Sequence, residues 1–276
     1  MKEPLISIII PVFNEEKDIA LCLESLRAQT YKNTEIIVVD DNSSDSTVKI
    51  ANEFNITLLK QPHLGPGPAR NLGAKIAKGT ILVFVDADMT FEKEFIDRLT
   101  LPVRKGQAIG TFSLEEFVSN WDNIWSRCWN WNSGNPDRIR VGDKSHDHED
   151  FRSIMTSEFV SSGGFDPVGY TDSRTLSAKL NQKPFPAPGA VYYHRNPESL
   201  KEIFTQSRWI GKRKMKFGIV GQVINLIRSS LPLSILSGVI MCLAKKESLF
   251  ILFKIIYDFG FSVGIIEKLI NNTTAR

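Results

Sequence analysis

Two carboxylates one residue apart, Asp86 and Asp88, stand at the end of an unbroken apolar run, residues 81–85. The run is short and built from β-branched and aromatic side chains. That is the pattern of a strand buried on both faces of a parallel sheet. Ligands of open α/β sheets sit beyond the carboxyl ends of the strands, so both acids are placed where a ligand would be. Separated only by the small Ala87, they can share one hard cation and hold it against phosphate oxygens. A structural strand ending in an acidic turn would account for one such pair equally well. Two more apolar runs end the same way, at Asn14 and Glu15 and at Asp40 and Asp41. Three polar ends on one sheet edge point to a site. The HDHED stretch at 146–150 has the residue types of a metal cluster, but it has no partner at zinc-like spacing. It reads as a solvated or acceptor-facing loop.

Periodicity gives the elements that must place these acids. Residues 5–12 form a first strand, closed by Pro11. Asn14 is a helix cap with Glu15 and Glu16 in the favourable first turn. Ile19, Cys22, Leu23 and Leu26 then follow at i, i+3, i+4 and i+7, an amphipathic helix. Residues 35–39 form the second strand, residues 43–46 cap the next helix, and Val48, Ala51 and Phe54 line its inner face. Residues 56–59 form a short third strand. PHLGPGPAR is a Gly/Pro-rich loop, and a helix through Leu72 and Ile76 ends at Gly79. Alternation of strand and helix from 5 to 88 predicts a parallel, doubly wound sheet. Trp121, Trp125 and Trp129 recur every four residues and share one helical stripe, read first as core and second as an acceptor- or bilayer-facing surface.

Composition narrows the functional class. A net charge of +3 over 276 residues is no argument for nucleic-acid binding. Cys22, Cys128 and Cys242 are odd in number and far apart, which indicates neither a disulfide framework nor a thiolate metal site. The N-terminal apolar run leads into Asn14-Glu15-Glu16 without a small-residue cleavage site, so it reads as a strand and not a signal peptide. There is no G-x-G-x-x-G after the first strand and no G-x-x-x-x-G-K-[ST], which disfavours a dinucleotide fold and a P-loop.

PVFNEE, VVDDNSSDST, ARNLGAKIAKG and VDAD, in that order, resemble the nucleotide-binding half of family 2 glycosyltransferases. GGFD at 163–166, Thr171-Asp172 before an apolar helix, His194 after a strand and QSRWIGKRK from Gln206 extend the resemblance over roughly 4–216. It implies an α/β GT-A fold, a Rossmann-like mixed, mostly parallel sheet flanked by helices. It also implies inverting transfer of one sugar from a nucleotide-sugar donor. On that resemblance, Pro11, Phe13 and Glu15 line base and ribose, and Asp40 or Asp41 bonds the base. Arg70 reaches the phosphates, and Asp86 and Ala87 contact the nucleotide. Asp86, Asp88 and His194 hold Mg²⁺ or Mn²⁺. The catalytic base is Asp172, where the family usually has a Glu-Asp pair after a longer gap; Asp166 is the reserve. Gln206-Ser207-Arg208-Trp209 is one residue shorter than the QxxRW of processive synthases, which argues against a polymerase. Arg208, Lys212 or Arg213 is then available to clamp the diphosphate.

The composition changes after Lys212, Arg213, Lys214 and Lys216. Residues 219–244 and 248–266 are mostly apolar, but neither run is a clean stretch of the about 20 residues that a span needs. Lys254, Asp258 and Ser262 share one helical face. The expectation is a catalytic domain at 1–216 and a membrane-associated helical tail at 217–276, an amphipathic or re-entrant hairpin whose basic cluster meets anionic head groups. A helical appendage or a homodimer interface is the other reading of the tail. The positive-inside bias would keep the catalytic domain in the cytoplasm, facing a lipid-linked or glycan acceptor. A sugar nucleotidyltransferase and a non-catalytic membrane adaptor that kept the fold are the rival functions.

Overall fold

A computed structural model of the chain describes residues 3–140, 149–167, 175–213 and 215–271. In chain order the elements are β1 (Ile6–Val12), α1 (Ile19–Arg27), β2 (Thr34–Asp40), α2 (Thr47–Ala51), β3 (Thr57–Lys60) and α3 (Pro66–Ile76). Then come β4 (Ile81–Phe84), β5 (Met89–Phe91), α4 (Phe95–Arg104), β6 (Gly110–Ser113), β7 (Glu116–Val118) and α5 (Ile124–Asn132). The chain continues through β8 (Ser153–Met155), α6 (Thr156–Ser161), α7 (Thr175–Leu180), β9 (Phe185–Ala187) and β10 (Tyr192–His194). It ends in α8 (Leu200–Gly211), α9 (Gly218–Arg228), α10 (Leu231–Lys245) and α11 (Phe250–Asn271).

Two compact units result. One comprises Met1–Phe117 and Asp143–His194, the other Val118–Gly142 and Arg195–Ala275, in each case over the described residues. The first is built on a seven-stranded sheet in the order β3-β2-β1-β4-β8-β6-β9. β1 runs parallel to β2 and β4, β2 to β3, and β6 to β9, while β8 is antiparallel to both of its neighbours. Alternate residues feed two cores. Ile8, Ile10, Val38 and Val83 pack toward α1 and α4, whereas Ile9, Ile37, Val39 and Leu82 pack toward α3, α6 and α7. Burial of each such aliphatic side chain contributes about 1.5–3 kcal/mol. Gly73 lets α3 lie against β1, because a Cβ there would stand 2.7 Å from Ile9 Cγ2.

The strand registers place the polar ends side by side. Val12 is opposite Asp40 and Ile9 is opposite Phe84, so the carboxyl ends of β1, β2 and β4 share one sheet edge. A second sheet, β5-β10-β7, pairs Met89 with His194 and so carries His194 to the residue after Asp88.

Two local expectations change. The first helix starts at Ile19 and not at Asn14, which adopts a left-handed φ of 56°. Its backbone N–H donates to Ser43 Oγ and its side-chain oxygen accepts from the Ser44 N–H, stitching the end of β1 to the end of β2. In PHLGPGPAR only the beginning is loop. Gly65, at φ 95°, turns the chain, and Pro66 starts α3 at the position where its fixed φ suits a helix.

The second unit consists of α5, α8, α9, α10 and α11. Its core is Cys128, Trp131, Ile203, Phe250 and Phe253, with Trp121, Trp125 and Trp129 packed against it. The tryptophan stripe is therefore core, as first read. The compact units divide the chain differently from a boundary at 216. α5 and α8, expected in the catalytic domain, bury their apolar faces with α11. Where α8 and α11 cross, a Cβ on Gly264 would stand 1.9 Å from the Arg208 carbonyl oxygen, so only glycine permits that approach. Among the described residues no single helix is long and apolar enough to cross a membrane. One pair, α9 and α10, passes that test together with a bend of 64° between them.

Candidate active site

The loop after β4 lies over the C-terminal edge of the large sheet. Asp86 Oδ1 accepts from Arg70 Nη2 at 2.6 Å, and Arg152 Nη1 stands 3.7 Å from Oδ2. Burial works to raise the Asp86 carboxyl, yet Arg70, Arg152 and His194 together hold it below its ordinary range. Arg152, just before β8, also donates to the Phe84 carbonyl and to Tyr192 Oη, and its guanidinium lies over the Tyr192 ring. Burial would lower Arg152, but Tyr192, Asp86, Glu116 and Asp150 raise it, so the cation is permanent. Beneath the turn, Cys22 Sγ donates to the Asp86 carbonyl. Burial, then Asp88 and Asp86, push its thiol well above the usual range, so it is a neutral hydrogen-bond donor there.

Asp88 belongs to a row of three groups. Its Oδ2 lies 2.8 Å from His194 Nε2, and Glu116 Oε1 lies 2.9 Å from His194 Nδ1. Glu116, on β7, was not singled out in the sequence. A carboxylate can only accept, so Nδ1 presents its hydrogen to Glu116. Nε2 faces a second carboxylate, Asp88. That contact is favourable when a second ring proton, making the imidazolium, or a metal cation lies between Nε2 and Asp88. Carboxylate–histidine pairs of this kind are the usual support of a metal-ligating imidazole. Among the described residues no three His, Cys, Asp or Glu groups form a ready metal cage. Two protein donors nevertheless suit Mg²⁺, which is commonly held by one or two carboxylates and by the oxygens of a phosphorylated substrate. The residues fit a divalent cation that arrives with its diphosphate. Asp88 and His194 are adjacent as expected, whereas Asp86 is turned to the two arginines.

The end of β2 separates two roles that the sequence left open. Asp41 is buried and saturated. Oδ1 accepts from Gln61 Nε2 at 2.6 Å and the Leu64 N–H at 2.8 Å, while Oδ2 accepts from the Gly65 N–H at 2.9 Å and meets His63 Nδ1 at 2.8 Å. It holds the loop that turns into α3. Asp40 accepts one backbone bond, from Ser43, through Oδ1. Above them the exposed Phe13 ring stacks on His63 with centroids 4.1 Å apart. Pro11 sits in β1 opposite Val39, Glu15 donates its backbone N–H to Thr47 Oγ1, and Ala87 is buried. Asn71, next to Arg70, bonds both the Phe165 N–H and the Phe165 carbonyl and so anchors the GGFD turn.

Other expected residues fall elsewhere. Asp172 and Thr171 lie outside the described residues, as do His146, Asp147 and His148. The Asp166 carboxylate pairs with Lys179 at 2.6 Å and its backbone N–H donates to Thr175 Oγ1, which makes it a turn-holding group. Arg208 is on α8 in the second unit, where its guanidinium forks onto Glu267, joined by Lys212 at 2.9 Å. That pairing occupies the side chain expected to clamp the diphosphate. Arg152, Glu116 and His63 were missed.

The family described as Glycosyl transferase family 2 matches residues 7–160, more than half of the chain. The chain belongs to glycosyl transferase family 2. Glycosyltransferase GlyA of Streptococcus pneumoniae is 37% identical over 108 residues, 37% of the chain and 16% of GlyA. Probable glycosyltransferase YdaM of Bacillus subtilis is 26% identical, covering 98% of the chain and 71% of YdaM. The chain spans about a third or less of most of the curated relatives it matches. Among solved structures, the mannosyltransferase PcManGT from Pyrobaculum calidifontis, in complex with GDP-Man and Mn²⁺, superposes with a TM-score of 0.58 at 16% identity. The match covers 99% of the chain and 89% of that protein, and places the family 2 chain in the same α/β GT-A-like fold.

Proposed function

We propose that this family 2 chain is a divalent-cation-dependent, inverting glycosyltransferase. It would move a single sugar from a GDP- or UDP-sugar to a lipid-linked or glycan acceptor at the cytoplasmic membrane face. The observation that carries the reading is the Asp88–His194–Glu116 row beside the arginine-flanked Asp86, at the edge where β1, β2 and β4 end.

Each residue has a task in that reaction. Phe13 and Pro11 offer an apolar surface to the base, and Asp40, with acceptor capacity left over, takes its N–H. Glu15 faces the ribose. Arg70 and Arg152 hold Asp86 in place and bring fixed positive charge to the diphosphate edge. Asp88 and His194 would hold Mg²⁺ or Mn²⁺, which neutralises charge on the departing nucleoside diphosphate. Asp172 is assigned as the base: it removes the proton of the acceptor hydroxyl, the acceptor oxygen bonds the anomeric carbon, and the bond to the diphosphate breaks. PcManGT, of like fold, was crystallised with a nucleotide sugar and Mn²⁺, which supports the donor class.

The test is sugar transfer and donor hydrolysis with and without EDTA, in the wild type and in Asp88→Asn. Loss of both activities on chelation, restored by Mn²⁺ or Mg²⁺ in the wild type only, is expected. Activity indifferent to EDTA and to Asp88→Asn refutes the cation role, and release of pyrophosphate refutes sugar transfer.

A further inference from the structure

The second unit has one region with its polarity reversed. On α9 and α10, Ile219 is 71% exposed, Ile227 60%, Leu236 56%, Ile240 57% and Leu243 75%. Turned inward, beside Gly221 and Gly238, are the polar Gln222, Ser229 and Ser234, which with Asp258 of α11 are each less than a tenth exposed. Three of them are hydrogen-bonded within the unit. Ser234 Oγ donates to Asp258 Oδ2 at 2.6 Å, Lys254 Nζ lies 2.7 Å from Asp258 Oδ1, and Ser229 and Ser262 share a hydroxyl contact of 2.7 Å. α11 thus seats the pair through its Lys254–Asp258–Ser262 face. A helix pair bathed in water would turn these faces the other way, because apolar surface leaves water at about 25 cal/mol per Å². A continuous apolar surface of this kind marks an interaction site.

Charge and length identify the occupant. From 216 to 246 the sequence contains Lys216, Arg228, Lys245 and Lys246 and no Asp or Glu. Lys216 precedes α9, Arg228 stands at the bend, and Lys246 follows α10; all three are exposed. Basic groups thus bracket both apolar helices, where long side chains can reach a phosphate layer while the helix stays in hydrocarbon. At 1.5 Å per residue α9 is about 16 Å long and α10 about 22 Å. Neither matches a hydrocarbon core of about 30 Å. The bend of 64° suits a shallow wedge better than a span.

We propose that α9 and α10 insert as a bent wedge into one leaflet of an anionic bilayer, with Lys216, Arg228 and Lys246 on the lipid phosphates. This deepens the membrane part of the function proposed above and is independent of its transfer chemistry.

The test uses the whole chain. Cys22 and Cys128 are buried, so an environment-sensitive fluorophore is directed to Cys242 on α10. Vesicles of phosphatidylcholine with phosphatidylglycerol are compared with phosphatidylcholine alone, by flotation and by emission. The expected result is co-flotation with the anionic vesicles, a blue shift of the fluorophore and its quenching by lipids brominated on the acyl chain. Ile240→Glu and Leu243→Glu should each weaken binding roughly tenfold. Arg228→Gln should weaken it about fivefold, on anionic vesicles only. These surface positions leave helical circular dichroism unchanged. A chain that stays in the aqueous fraction, or a fluorophore that is unshifted on floated vesicles, overturns the wedge. So does a concentration-dependent dimer that Leu243→Glu dissolves in the absence of any vesicle binding, which would assign the face to a second copy. The thermal response to a nucleoside diphosphate with Mn²⁺ is measured on the same samples. Retained there with no vesicle binding, it overturns the wedge alone; lost while vesicle binding persists, it overturns the transfer chemistry alone.

Discussion

Glu116→Gln tests whether His194 is prepared for a cation. Glu116 Oε1 lies 2.9 Å from His194 Nδ1, and the two side chains are 12% and 15% exposed, so the contact is shielded from water. With a cation bound, the carboxylate would hold Nδ1–H toward Glu116 and leave the Nε2 lone pair for the metal. Glutamine has the same shape but presents an amide that can donate as well as accept, so it no longer enforces that tautomer. Removing an outer carboxylate of this kind lowers metal affinity about 10–100-fold. That is about 1.4–2.7 kcal/mol. The assay is a Mn²⁺ titration in the presence of nucleoside diphosphate, reading free Mn²⁺ by electron paramagnetic resonance, with the thermal midpoint taken alongside as a control for folding. Asp88→Asn, which replaces an anionic ligand by a weaker neutral amide oxygen, should lose more affinity than Glu116→Gln. Glu116→Gln binding Mn²⁺ within about twofold of the wild type, while Asp88→Asn fails to bind, would refute the positioning role. Wild-type affinity in both variants would place the cation elsewhere.

Two further substitutions separate support from ligand contact. Asp86→Asn should lower stability by about 1–2 kcal/mol, below the 3–5 of a fully buried pair, since the Asp86 side chain is 33% exposed. The Asp86 carboxyl is held low in the folded state. Its contribution is therefore present above the ordinary carboxylate range and is lost as pH falls through the depressed value. The gap between wild type and variant in denaturant titrations should shrink in acid; a gap independent of pH would refute the ion-pair account. Asp41→Asn turns a saturated acceptor into a half-donor against the Gly65 N–H and His63, and should destabilise by about 2 kcal/mol. Asp40→Asn should leave the unfolding midpoint nearly in place and weaken nucleoside diphosphate binding by calorimetry. The reverse pattern would exchange the two roles.

The pattern of short β-branched runs ending in Asn14, Asp40 and Asp86 was enough to place a parallel sheet with polar groups on one edge. Alternation of side chains and the need to bury both faces are local properties, and the registers Val12–Asp40 and Ile9–Phe84 agree with them. The order of the motifs was enough for the family. The start of α1 was misplaced because Asn14 uses its left-handed φ and its side chain to tie two strand ends, a long-range choice that propensity does not contain.

The partners of each charge belonged to tertiary structure. Asp40 and Asp41 are neighbours of one chemical type. Only the fold of residues 61–65 over β2 decides that Asp41 is saturated while Asp40 retains an acceptor. Asp86 and Asp88 likewise part company, one to Arg70 and Arg152, the other to His194, because β5 and β10 pair across a hundred residues of chain. Arg208 shows the converse, since its motif was legible but its guanidinium is held by Glu267 on another helix. The apolar composition of α9 and α10 was visible in the chain. Which of their faces looks outward follows from the buried Asp258–Ser234 contact, and a pairwise contact is information that no single stretch of sequence holds.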